Sequence, residues 1–152
     1  QAVLAQAACG GGWRCSSRGR PPWQGRGSPG EMDIVRGPTP APGSGRSGWV
    51  SFGNLVWTVA FPAGKTPEDS VADQTRKALA NLDDRLKQAG TDKTRVLEAT
   101  VFLKDMATKE EMDAVWREWV PDGCGPSRAT VGADLAPGDL VEMKVTAALP
   151  PK

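Results

Sequence analysis

The 152-residue sequence contains no histidine and no tyrosine. Without an imidazole, Ser–His–Asp and Cys–His catalysis and His-ligated zinc are excluded. The three cysteines, Cys9, Cys15 and Cys124, form no CxxC pair. That removes a thioredoxin-like redox motif and a four-Cys zinc site. An odd, low cysteine count fits a reducing compartment better than a disulfide-stapled secreted module. No run approaches the ~18 apolar residues of a membrane span, so a soluble protein with no membrane partner is expected. The Gly-rich segments lack the strand-before, helix-after context and the Gly-Lys-Ser/Thr ending of a phosphate loop. A formal net charge of +1 gives no case for nucleic acid by itself.

The near-neutral charge hides an asymmetry. Residues 1–48 hold six Arg against Glu31 and Asp33, and 11 of the 18 glycines. Residues 49–152 hold 13 Lys and Arg against 16 Asp and Glu, a net of −3. Runs such as Gly10-Gly11-Gly12 and Pro38-Thr39-Pro40-Ala41-Pro42-Gly43 bury too little apolar surface to offset the entropy of ordering them. Residues 1–47 are therefore expected to form a disordered Gly/Pro/Arg-rich segment, and 48–150 the folded domain. Residues 1–30 carry Arg and Ser but no acid. They fit an organelle transit peptide, a linker or a non-native start equally well, with Met32 a candidate initiator. The cytoplasm is the expected compartment, and the mitochondrion or plastid the alternative if the segment is a transit peptide.

The folded part has a legible order. Apolar runs at 49–52 and 55–59 flank Gly53-Asn54, a two-residue hairpin turn. Thr66, Pro67 and Asp69 read as the N-cap, first position and third position of a helix. Its stripe is Val71, Thr75, Ala78, Leu82, Leu86 and Ala89, and Gly90 ends it. Asp73–Lys77 and Asp83–Lys87 are i,i+4 pairs on its outer side. Residues 96–103 read as a buried strand. Thr108 and Glu111 form a capping box for a second helix with the face Met112, Val115, Trp116 and Trp119, stopped by Pro121. Strands at 128–133 and 140–148 follow.

The order ββαβαββ predicts an α+β sandwich, with two helices on one face of a mostly antiparallel sheet. The face left open would carry Glu98, Thr100, Phe102, Arg128, Thr130 and Glu142. Such a mixed face suits a subunit interface better than open surface.

Spacing alone assigns little chemistry. Arg128 follows a Gly/Pro turn at a strand start, where a solvated edge arginine is the ordinary outcome. Glu142 reads equally as a solvent-facing strand residue, and Asp113 as a helix-surface carboxylate. Cys124 has no base to deprotonate it and its turn is not electropositive, which favours an inert thiol. The net-acidic folded part argues against nucleic-acid binding.

One pattern is more specific. Gly125-Pro126-Ser127-Arg128-Ala129-Thr130-Val131, followed by Val141-Glu142-Met143-Lys144-Val145, resembles the Pro-x-Arg-x-x-Val and Val-Glu-Ile-x signature of the Rid family, the YjgF-like reactive intermediate deaminases. Asp73-Gln74-Thr75 through Gly90, Thr100 through Asp105 and Met112 through Trp116 resemble further family segments in the same order. The resemblance spans about residues 48–149.

It implies a chorismate-mutase-like fold assembled as a homotrimer with sites between subunits. It also implies hydrolysis of 2-imino or enamine acids to 2-oxo acids and ammonia, without metal or cofactor. By resemblance Arg128 anchors the substrate carboxylate, Glu142 orients water, and Thr130, Asp113, Val59 and Ala60 line the substrate site. The sequence departs from the archetype at four of these: Asp113 replaces Asn, Thr130 a common Cys, and Val59-Ala60 a Ser-Gly or Thr-Gly pair. A substrate-contacting Tyr has no equivalent. These departures suit a divergent branch, and a catalytically silent, small-carboxylate-binding protein of the same fold is the alternative.

Overall fold

The structure is a computed structural model and describes residues 33–151. Its elements are β1 (Val35–Arg36), β2 (Trp49–Phe52), β3 (Leu55–Ala60), α1 (Val71–Ala89), β4 (Val96–Leu103), α2 (Lys109–Trp119), β5 (Ser127–Gly132) and β6 (Val141–Ala148). Single 3-10 turns lie at Lys93–Arg95 and Met106–Thr108. The expected ββαβαββ order is present with one short strand added before it. That strand falls inside the segment read as disordered, most of which (1–32) lies outside the described residues. Val35 and Arg36 pair with Ser51 and Val50, and Gly37 N–H donates to Trp49 O at 2.9 Å. Gly37 lies so close to the Trp49 indole that a Cβ would sit 2.3 Å from Nε1. Glycine is required there by that approach.

The six strands form one sheet in the order β1-β2-β3-β6-β4-β5. Every pairing is antiparallel except β4 with β5. Those two are joined through α2, the crossover that parallel neighbours need. Gly53 and Asn54 close the β2–β3 hairpin. Gly53 has φ 62° and Asn54 does not share the positive sign, the pattern of a type II′ turn.

Helix α1 starts four residues later than its sequence suggests. The N-cap is Ser70, whose hydroxyl accepts from Asp73 N–H while Asp73 accepts from Ser70 N–H. This reciprocal box wins because Thr66 is spent on a separate turn with Asp69, whose carboxylate accepts from Thr66 N–H at 2.8 Å. Lys77 pairs with Asp69 at 2.5 Å instead of Asp73, and Asp83 accepts from the Trp119 indole at 3.0 Å. Gly90, at φ 85°, closes the helix as expected.

The start of α2 also differs. Thr108 makes no side-chain cap bond to it. Its hydroxyl donates to Asp105 O, and Glu111 reaches across to accept from Ala72 N–H at 3.1 Å. The expected box partner thus serves the first turn of α1, where orphan N–H groups and the helix dipole favour a carboxylate.

Both helices lie on one side of the sheet. Between them and it sit Val56, Leu82, Leu86, Val101, Leu103, Met112, Val141, Met143 and Val145, each buried to 2 % exposure or less. The strand alternation follows. Val141, Met143, Val145 and Ala147 face the helices, while Glu142 and Lys144 face away. Among the described residues no helix lies on the opposite sheet face. On it lie Val59, Glu98, Thr100, Phe102, Glu142 and Lys144, joined in register. Val59 is 44 % exposed and Val131 40 %. A bulge between Val96 and Glu98 turns Leu97 outward as well, to 49 % exposure.

Arg128 and Thr130 do not share that face, contrary to expectation. They pair with Ala99 and Val101, both buried beneath the helices, and so project on the helix side. The cause is the position of β5 at the sheet edge. The helix side of an edge strand meets the flank of α2 and not the core, so polar residues sit there and Ala129 and Val131 point away.

Candidate functional site

Arg128 enters a cluster built by one face of α2. Lys109, Met112, Asp113 and Trp116 recur at three- and four-residue steps, which stacks them along the helix side toward β5. The guanidinium carbon of Arg128 lies 5.0 Å from the Trp116 ring centre, close enough for cation–π attraction. Its Nη2 donates to Asp113 Oδ1 at 2.5 Å. Asp113 Oδ2 accepts from Lys109 Nζ. Burial pushes the Asp113 carboxyl up, but the bonds from Lys109 and Arg128 outweigh it and hold the group below the usual carboxylate range. Asp113 is therefore an anion clasped by two cations.

The clasp is anchored further back. Trp116 packs on Trp119 with ring centres 5.3 Å apart and planes inclined by 51°. Trp119 in turn donates its indole N–H to Asp83 on α1 and lies under Lys93 at 5.5 Å. Arg128 is thus held at the end of a stacked row that runs back to the first helix. In front of it opens a cleft of about 400 Å³ lined by Glu110, Asp113, Trp116, Arg117, Pro126 and Arg128. Arg117 is tied to the exposed Glu110 at 2.7 Å. Arg128 keeps 21 % side-chain exposure into this cleft and Asp113 12 %. The arrangement suits a small anion, because a fixed guanidinium presents a planar fork to a carboxylate.

The remaining candidates divide between the two sides of the sheet. Thr130 lies two residues beyond Arg128 in the same row, half-buried. Glu142 stands opposite Phe102 on the uncovered face, and Val59 stands opposite Lys144 on that face. Ala60 points the other way, fully buried against the helices. The backbone at Val59 is fixed by Arg85 of α1, whose Nη1 donates to Val59 O and, at 3.3 Å, to Gly48 O. Burial pushes the Arg85 pKa down. Within one chain, Arg128 and Asp113 are brought together, Thr130 lies on the same side of β5 outside the cleft lining, and Glu142 and Val59 lie on the opposite face of the sheet.

Two members were not singled out from the sequence. Trp116 reads there as a core residue, and its position on β5's side follows only from the crossover. Lys109 carries a usable signal, since it stands four residues before Asp113. Among the described residues no group of three Cys, Asp or Glu side chains converges as a metal site would require, and no helix is long and apolar enough to cross a membrane.

Residues 50–149 match the family model described as Endoribonuclease L-PSP. A RutC family protein of Haemophilus ducreyi is 42 % identical over 95 residues, covering 60 % of this chain and 81 % of its own. The RutC family protein YoaB of Escherichia coli is 40 % identical over 87 residues, covering 55 % and 76 %. A crystal structure of a YjgF-family protein from Neisseria meningitidis superposes with a TM-score of 0.72 at 36 % identity, covering 80 % of this chain and 98 % of that one. The matched stretch holds the whole sheet except β1 and Trp49, both helices, and every residue of the cleft. The chain belongs to the YjgF/RutC family, within which Rid proteins also fall.

Proposed function

We propose that the protein hydrolyses small reactive 2-imino acids, or their enamine tautomers, to 2-oxo acids and ammonia. Water adds to C2 of the imine, the C–N bond breaks, and the nitrogen leaves as ammonia with the protons of that water. The carbon is already electrophilic, so the protein needs to hold the carboxylate and place a water, tasks for a guanidinium and a carboxylate. The observation that carries the reading is Arg128, fixed by Trp116 and Asp113 before any substrate arrives and open to a cleft of small-molecule size. Such fixing lowers the entropy lost on binding.

Glu142, the water-placing candidate, lies on the other face of the sheet. For it to act with Arg128 on one substrate, a second chain must bring its uncovered face to the cleft. A homotrimer with sites between subunits meets that requirement, and the exposed Val59 and Val131 beside Phe102 supply apolar area for it. A test couples the protein to a pyridoxal-phosphate-dependent dehydratase that releases 2-aminoacrylate, and follows oxo-acid release. Acceleration over buffer, lost in Arg128→Ala, is expected. Equal rates for both proteins would overturn the proposal. The second reading, a carboxylate-binding protein without turnover, is favoured by one feature: Asp113 already occupies a donor of Arg128.

A further inference from the structure

We propose that Asp113 is a specificity-determining residue, which makes the cleft select carboxylates bearing an N–H donor on the adjacent carbon over those bearing an oxygen there. The inference rests on the carboxylate-binding reading of Arg128 and adds what the second position of the site distinguishes.

Asp113 is directly beside the anchor. Its Oδ1 accepts from Arg128 Nη2, its Oδ2 accepts from Lys109 Nζ, and it lines the cleft. A carboxylate offers about four acceptor positions, of which these bonds use two. It offers no donor while ionised, and the two cations keep it ionised. A ligand whose carboxylate lies on Arg128 places the substituent of its neighbouring carbon near this acceptor-only group. An imine N–H, or a protonated iminium, donates to it. The oxygen of a 2-oxo acid has only lone pairs to present and is repelled. Substrate is favoured over product by the same contact, which also hastens product departure. A site that accepts a ligand N–H disfavours an analogue lacking it, because the site's own polar group is then left unpaired. An Asn at this position would lack such a preference, because an amide both donates and accepts.

Binding of two stable, planar, isosteric probes tests this without any turnover. Pyrrole-2-carboxylate has an N–H next to the carboxylate-bearing carbon, and furan-2-carboxylate has an oxygen in that place. Calorimetric titration of the full chain is expected to favour the pyrrole about tenfold, the scale of one hydrogen bond to a charged group. In Asp113→Asn the ratio is expected to fall close to one, with the fold checked by circular dichroism. In Arg128→Ala both probes are expected to lose binding. Equal affinities in the unmodified protein would overturn the selectivity while leaving Arg128 as a carboxylate anchor. Failure of both probes to bind, or binding indifferent to Arg128→Ala, would overturn the reading of the cleft itself.

Discussion

The two sides of the sheet edge are built differently. On the helix side, Arg128 sits in a finished setting: a ring against it, a carboxylate on one nitrogen, and a stacked row behind it reaching α1. On the other side Glu142, Lys144, Thr100 and Glu98 share a face with Phe102, Val59 and Val131, and no element of the described residues covers them. One region is packed within a single chain, and the other is open among the described residues. Fixing the anchor is thus a property of the monomer, whereas proposed hydrolysis depends on assembly. A sheet separates the two groups that the proposed chemistry needs together, and no side-chain rotation crosses it.

The contrast is open to attack on both sides. The largest effect is expected from Arg128 itself. Arg128→Ala should remove oxo-acid release by about 10³-fold, and Arg128→Lys should recover little, because a point charge does not reproduce a bidentate fork. Next comes the uncovered face. Phe102→Asp should convert the assembly to monomers in light scattering and abolish turnover, while the isolated cleft keeps its carboxylate affinity. Retention of an oligomer would show that this face is not the contact. A smaller loss, about tenfold in kcat/KM, is expected for Trp116→Leu, which removes the ring holding Arg128 in place. The smallest effect concerns stability. Asp113→Asn should destabilise the fold by about 1 kcal/mol near pH 7, the scale of a partly exposed charged hydrogen bond. The Asp113 carboxyl is held lower in the folded protein than in the unfolded chain. Its stabilisation is therefore complete above the unfolded value and is lost as pH falls through the folded one. Chemical denaturation at neutral and strongly acidic pH should show the difference between the two proteins closing in acid.

Much of this was legible in the sequence where one element decides its own fate. The stripe from Val71 to Leu86, the Gly90 cap, the Gly53-Asn54 turn and the alternation of β6 are set by local periodicity and backbone preference. The misread features depend on a second element. Ser70 rather than Thr66 caps α1 because Asp69 takes Thr66 and Asp73 takes Ser70. Glu111 caps α1 rather than α2 because the two first turns lie together. Arg128 faces the helices because β5 is an edge strand whose register is set by Ala99 and Val101. Strand β1 is two residues long and has no periodicity to detect. The identities of Arg128, Glu142 and Asp113 were visible through family resemblance, but their partition between two faces was not. A motif records which residues occur and leaves their sheet phase to tertiary pairing.

In the proposed reaction Arg128 of one chain works with Glu142 of another. Subunit complementation tests it most directly. Arg128→Ala and Glu142→Gln chains, each inactive alone, are co-expressed with different tags and the mixed assemblies isolated. If the two residues come from different chains, each mixed trimer pairs an intact Arg128 with an intact Glu142 at one of its three sites, and about a third of the unmodified activity returns. If activity in the mixed assemblies stays at the level of either variant alone, the two residues do not meet across subunits and the account is contradicted.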